Sequence, residues 1–235
     1  MHKTEHGLWT EYSQWNIFMK TKINLPTKIT IARIILAFLL LLTIFTLYIV
    51  DYFFPFVCTL TININNNVHI NYLNLILLGI FLIASFTDFL DGYLARKNNE
   101  VTDLGKFLDP IADKMLINGM MIFLALNFPS IHNVDLTFPF FLVILMEIRD
   151  LIVDGLRFMC AKKNVVIAAN IFGKAKTVLQ MVAISFVLLN GFPFSLFDYN
   201  FINYLHITDF ICYLATITSL ISGVIYVKDN IKALF

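Results

Sequence analysis

The chain has 235 residues, 59% of them hydrophobic and only 14% charged, with a mean hydropathy of +0.78. Soluble domains run to about half apolar and about a quarter charged, so this composition excludes a purely soluble globular protein and requires lipid as the solvent for much of its surface. The net charge of +1 hides a steep asymmetry along the chain, but its Lys and Arg fall at helix ends rather than on a soluble basic face, which argues against nucleic acid as a partner.

Residues 7–19, GLWTEYSQWNIFM, set Leu8, Tyr12, Trp15 and Phe18 at helical spacing among polar residues. That pattern predicts a short amphipathic helix lying in the membrane interface. The whole segment 1–28 is polar and interrupted, so it is read as an interfacial segment, with no signal peptide expected. Beyond it come six mostly apolar stretches, near 29–50, 72–96, 104–127, 137–160, 170–191 and 205–227. Each is long enough for a membrane helix of roughly 20 residues. The expected fold is an all-α membrane protein whose single six-helix domain covers 29–235. The polar, Asn-rich stretch 61–71 is read as a loop without chemistry, and neither the three Cys nor the five His have ligand spacing.

Lys and Arg set the orientation. They cluster before or at the start of the first stretch, between the second and third, around the end of the fourth and start of the fifth, and at the C-terminus. The alternate loops 51–71, 128–136 and 192–204 contain none. By the positive-inside rule both termini are expected in the cytoplasm. The basic face suits anionic head groups or phosphorylated substrates.

The chemistry concentrates around the second connection. Asp88 and Asp91 are three apart on the second helix, and Asp109 and Asp113 are four apart on the third, so each pair shares a face. A short loop makes these helices antiparallel neighbours, and all four carboxylates can converge just below the cytoplasmic surface. Acids at that depth are costly and mark function. Four together repel unless cations neutralise them, and all-oxygen donors suit Mg²⁺ or Mn²⁺, two ions about 4 Å apart in a phosphoryl-transfer clamp. Taken singly, each acid also has a plainer reading. Asp109-Pro110 fits a helix cap followed by a first-turn proline, and Asp88 or Asp91 can pair with Arg96 or Lys114.

Asp88-x2-Asp91-Gly92-x2-Ala95-Arg96-x8-Gly105-x3-Asp109-x3-Asp113 resembles, position for position, the signature of the CDP-alcohol phosphotransferases. The resemblance implies a six-helix membrane enzyme, usually a homodimer, that moves a phosphatidyl or related group from a CDP-linked donor to an alcohol and releases CMP. It implies that Asp88, Asp91 and Asp109 hold two metal ions, with Asp113 as a further ligand or the general base. Gly92, Ala95, Arg96 and Gly105, with Thr30 of the first helix, are implied to shape the CDP pocket.

Two further regions resemble one branch of that family, the bacterial phosphatidylglycerophosphate synthases. Asn24, Pro26, Thr30 and Arg33 match the entry to their first helix, although Thr27 replaces the usual Asn. Arg149-Asp150, Leu156-Arg157 and Gly173-Lys174-x-Lys176-Thr177-x2-Gln180 match a second pattern, with Asp150 replacing Glu. Arg149 and Arg157 lie near one face of the fourth helix, and Lys174 and Lys176 open the fifth from the same side. Arg binds phosphate as a fork and Lys as a point charge, so the four suit the phosphate of glycerol 3-phosphate, with CDP-diacylglycerol as donor. The alternatives within the family are cardiolipin synthesis and phosphatidylinositol-phosphate synthesis. Outside it stand a divalent-cation transporter, against which the lack of an internal repeat counts, and a silent scaffold that kept the fold.

Overall fold

A computed structural model describes residues 25–54, 61–65, 68–97, 103–126, 137–163, 171–196 and 206–230. The amphipathic segment 7–19 therefore lies outside the described residues, as do the connections 98–102 and 164–170. Six long helices follow one another: α1 (Leu25–Phe53), α2 (Tyr72–Lys97), α3 (Asp103–Ala125), α4 (Phe140–Lys162), α5 (Ile171–Leu188) and α6 (Ile207–Asn230). All six coincide with the six expected stretches, with ends shifted by a few residues. Pro26 falls in the first turn of α1, where a missing N–H costs nothing.

The stretch expected to be a plain loop instead contains an antiparallel hairpin, β1 (Thr61–Asn65) and β2 (Val68–Asn71), with Ile62 opposite Ile70 and an irregularity between Asn63 and Asn65. Asn71 accepts a hydrogen bond from the Leu73 amide at 2.9 Å and so caps α2. The far end of α5 turns through Asn190 and Gly191, both at positive φ, and Asn190 donates to the His69 carbonyl at 3.0 Å. That bond docks the hairpin on the bundle at the end remote from the acids.

Packing is as an up-and-down bundle. α1 lies against α2 and α3, α6 lies against α4 and α5, and α3 bridges the two groups through α4 and α5. One continuous core runs through it, with Leu40 of α1, Phe81 of α2, Met120 and Leu124 of α3, Met146 of α4, Ile184 of α5 and Ala215 of α6 all buried. The buried positions recur at three- and four-residue steps (Ala37, Leu40, Ile44; Leu77, Phe81, Ala84), so each helix spends one stripe on the core.

The opposite stripes are also apolar. Phe38, Phe45, Ile83, Phe86, Leu151 and Val224 are all more than half exposed. A continuous apolar exterior of this kind is what contact with lipid requires. Three helical segments, Thr27–Phe53, Tyr72–Leu90 and Ile207–Asn230, are long and apolar enough to cross a membrane on length and composition. α3, α4 and α5 dilute their apolar runs with the charges that face the site.

Candidate active site: one cavity between an acidic and a basic wall

Because the helices alternate in direction, the start of α1, the end of α2, the start of α3, the end of α4, the start of α5 and the end of α6 meet at one end of the bundle. Asp88 of α2, Asp109 and Asp113 of α3 all turn towards Arg33 of α1. Arg33 Nη1 pairs with Asp88, and Nη2 stands 3.5 Å from Asp109 Oδ1 and 3.6 Å from Asp113 Oδ1. The guanidinium is fully buried, while the three carboxylates are about one-third to one-half exposed, at 34%, 48% and 43%. Asp91, Ala95 and Arg96 belong to α2, but their side chains lie outside the described residues. Thr30 is buried one turn before Arg33, Gly105 is buried near the start of α3, and Gly92 is half-buried on α2.

The cap reading of Asp109 and the pairing of Asp88 with Lys114 do not survive, while pairings of Asp91 or Arg96 lie outside the described residues. α3 begins at Asp103, so Pro110 is inside the helix and Asp109 caps nothing. The proline removes one backbone donor and frees the carbonyl four residues back, beside the acids. Lys114 does not pair with Asp88; it pairs with Asp154 of α4.

A cavity of about 310 Å³ opens next to Asp109 and Asp113. Its other walls come from α4, α5 and α6 and include Arg149, Asp150, Arg157, Lys174, Lys176, Ser222 and Tyr226. All four of the expected phosphate-binding cations thus share one space with two of the expected acids. They are not equivalent. Lys176 donates to both carboxylate oxygens of the buried Asp150 at 2.6 Å, and Arg149 donates to Asp150 Oδ1 at 2.7 Å and to Ser222 Oγ at 2.8 Å. Gly223 makes room for this arginine: a Cβ there would come within 2.7 Å of Arg149 Cγ. Arg157 and Lys174 are exposed and form no ion pair among the described residues. Two cations are therefore fixed in the wall by Asp150, and two point their charge into open space.

Among the described residues, which leave out the side chain of Asp91, the acids do not close into a three-ligand metal cage, and Arg33 contacts three of them. The donor set nevertheless fits a hard divalent ion. Every donor is a carboxylate oxygen, the acids come from α2 and α3, which each pack on α1 rather than mainly on one another as expected, and Asp109 Oδ1 is buried without accepting a hydrogen bond.

Sequence reasoning missed Arg33's place and the counter-charges of the basic wall. Arg33 carried a signal, since an arginine inside an apolar helix needs a partner. Asp150 and Asp154 carried less, because a helix as charged as α4 offers many pairings.

The chain matches the CDP-alcohol phosphatidyltransferase family over residues 23–221, and it belongs to that family. Three of its relatives are named CDP-diacylglycerol–glycerol-3-phosphate 3-phosphatidyltransferase. The chain is 41% identical to that of Bacillus subtilis over 155 residues, covering 66% of this chain and 73% of the relative. It is 42% identical to that of Mycoplasma pneumoniae over 159 residues, 66% of each chain. With that of Mycoplasma genitalium it is 50% identical over 107 residues, 46% of this chain and 42% of the relative.

Proposed function

We propose that this chain is a membrane phosphatidyltransferase of phospholipid biosynthesis, transferring phosphatidate from CDP-diacylglycerol to the 1-hydroxyl of glycerol 3-phosphate. The products are CMP and phosphatidylglycerol phosphate. The observation that carries this reading is the shared cavity whose lining includes Asp109 and Asp113 together with Arg157 and Lys174. A substrate with a hydroxyl at one end and a phosphate at the other fits that polarity. The names of the relatives agree with it.

Each wall then has its task. Arg157 and Lys174 take the acceptor phosphate, the first as a fork and the second as a point charge, while Arg149 and Lys176, held by Asp150, keep that wall positive and rigid. Asp113 accepts the proton of the acceptor hydroxyl as its oxygen attacks the diacylglycerol-bearing phosphorus. The bond from that phosphorus to the CMP oxygen breaks, and CMP leaves with the electron pair. Gly92, Ala95, Arg96, Gly105 and Thr30 shape the CDP side. Asp88, Asp91, Asp109 and Asp113 would hold two Mg²⁺ or Mn²⁺ ions, which when bound neutralise the pyrophosphate and the departing CMP.

The reading includes six membrane spans with both termini in the cytoplasm, supported by the alternation of basic and Lys/Arg-free loops. The cavity then faces the cytoplasmic side of the cell membrane, with 1–28 an interfacial segment ahead of the six-helix domain, and the family resemblance implies a homodimer.

Incubating the purified chain with CDP-diacylglycerol, Mg²⁺ and a panel of labelled acceptors tests the assignment. Glycerol 3-phosphate should be the best acceptor, with CMP released in equal amount. Preference for phosphatidylglycerol would move the chain to cardiolipin synthesis, and preference for inositol phosphate to phosphatidylinositol-phosphate synthesis.

A further inference from the structure

Arg33 lies early in α1, flanked by Ile31, Ala32, Ile34 and Ile35, and its side chain has no solvent exposure. A guanidinium is tolerated in such a place only against counter-charge. Among the described residues, three carboxylates contribute to it, one from α2 and two from α3. Of these three, Asp88 makes the close contact; Asp109 and Asp113 stand at 3.5 and 3.6 Å, beyond ordinary charge-assisted hydrogen-bond length. Asp109 Oδ1 faces the guanidinium without accepting a hydrogen bond. Arg33 therefore gathers the acids by charge and leaves Asp109 Oδ1 able to take a further cation.

We propose that Arg33 is a resident counter-cation of the acid cluster and competes with a divalent ion for the same carboxylate oxygens. The proposal rests on reading those acids as ion ligands. Carboxylates this close, with no cation among them, raise one another's energy and favour protonation or separation. A fixed guanidinium keeps the cluster assembled and charged within an apolar bundle. The consequence is a weaker hold on the incoming ion, which must displace the Arg33 contacts and then lie near a positive neighbour.

The sign follows from both states. Removing the charge of Arg33 withdraws stabilisation from the ion-free cluster and withdraws repulsion from the ion-bound one. Both changes strengthen ion binding, while the ion-free protein becomes less stable. A residue that merely shaped the site would behave oppositely, since its loss would scatter the ligands and weaken binding.

The test is Mn²⁺ binding to the full chain in detergent, followed by electron paramagnetic resonance of the free ion, alongside thermal unfolding in chelator and in saturating Mn²⁺. Arg33→Gln should tighten Mn²⁺ binding by about tenfold, the loss of roughly one competing charge-assisted contact. It should also unfold earlier than the wild type in chelator and recover more of the deficit when Mn²⁺ is added. Arg33→Lys keeps a positive charge but loses the fork, so it should tighten binding by a smaller factor, and it serves where the glutamine variant does not fold. Unchanged or weaker Mn²⁺ binding in the variant that folds would overturn the role of Arg33 while leaving the acids as ion ligands. No saturable Mn²⁺ binding by the wild-type chain would overturn both.

Discussion

The two walls of the cavity are built on different principles. On the acidic side, three carboxylates from two helices share one buried arginine, so negative charge exceeds the cation that holds it. On the basic side the imbalance is reversed: one buried carboxylate, Asp150, fixes two cations while Arg157 and Lys174 remain uncommitted. Each wall thus uses one opposite charge as an anchor and leaves surplus charge towards the cavity. The surplus is what a ligand can read; the anchored groups hold the geometry. A tally of charges would miss that distinction, since Arg149 and Lys176 look as available in the sequence as Arg157 and Lys174.

Substitutions on the acidic wall should have the largest effect. Asp88→Ala, Asp91→Ala and Asp109→Ala should each lower turnover by about 10² to 10³-fold, the scale of losing one electrostatic group that acts on the transition state. Membrane insertion should be retained, because the helices keep their apolar stripes. Chelation should likewise abolish turnover, and Mg²⁺ or Mn²⁺ should restore it. Near-normal turnover in any of the three variants would remove the acidic wall from the chemistry.

The anchor of the basic wall comes next and should register in stability. Asp150 is 7% exposed and bonded to both Arg149 and Lys176. Asp150→Asn leaves the buried Lys176 and the largely buried Arg149 without their carboxylate, so thermal unfolding in detergent should report a loss of about 3 kcal/mol. Arg157→Ala should alter stability by less than about 0.5 kcal/mol, as expected for an exposed side chain with no ion pair among the described residues. Equal losses would erase the division between anchored and open cations.

How much of this was legible in the sequence follows the same physics. Helices that spend one stripe on the core and another on lipid leave long apolar runs, so six were readable to within a few residues. The hairpin was passed over because its Asn content reads as loop, yet Ile62 and Ile64 alternating with Asn63 and Asn65 carried a two-residue period. The acid cluster was readable because 3- and 4-residue spacings fix which side chains share a face. Asp109-Pro110 kept a cap as its plainer alternative because the same dipeptide serves at a helix start and within a helix, and the earlier start at Asp103 decides against the cap. That Arg33 needs a counter-charge was legible, but which groups supply it was not: its partners are 55 to 80 positions away, and spacing along one helix says nothing about charges on another.

The claim on which the two-wall account depends is that the open cations read the phosphate of the acceptor. It is tested most directly by kcat/KM for Arg157→Ala with glycerol 3-phosphate and, in parallel, with glycerol. A charge-assisted contact contributes about 1.5–3 kcal/mol, so kcat/KM for glycerol 3-phosphate should fall about tenfold or more. Arg157→Lys should recover only part of that loss, and the KM for CDP-diacylglycerol and the rate with glycerol should stay near the wild-type values. An equal fall with both acceptors would contradict the account, because Arg157 would then be supporting the cavity rather than binding phosphate in it.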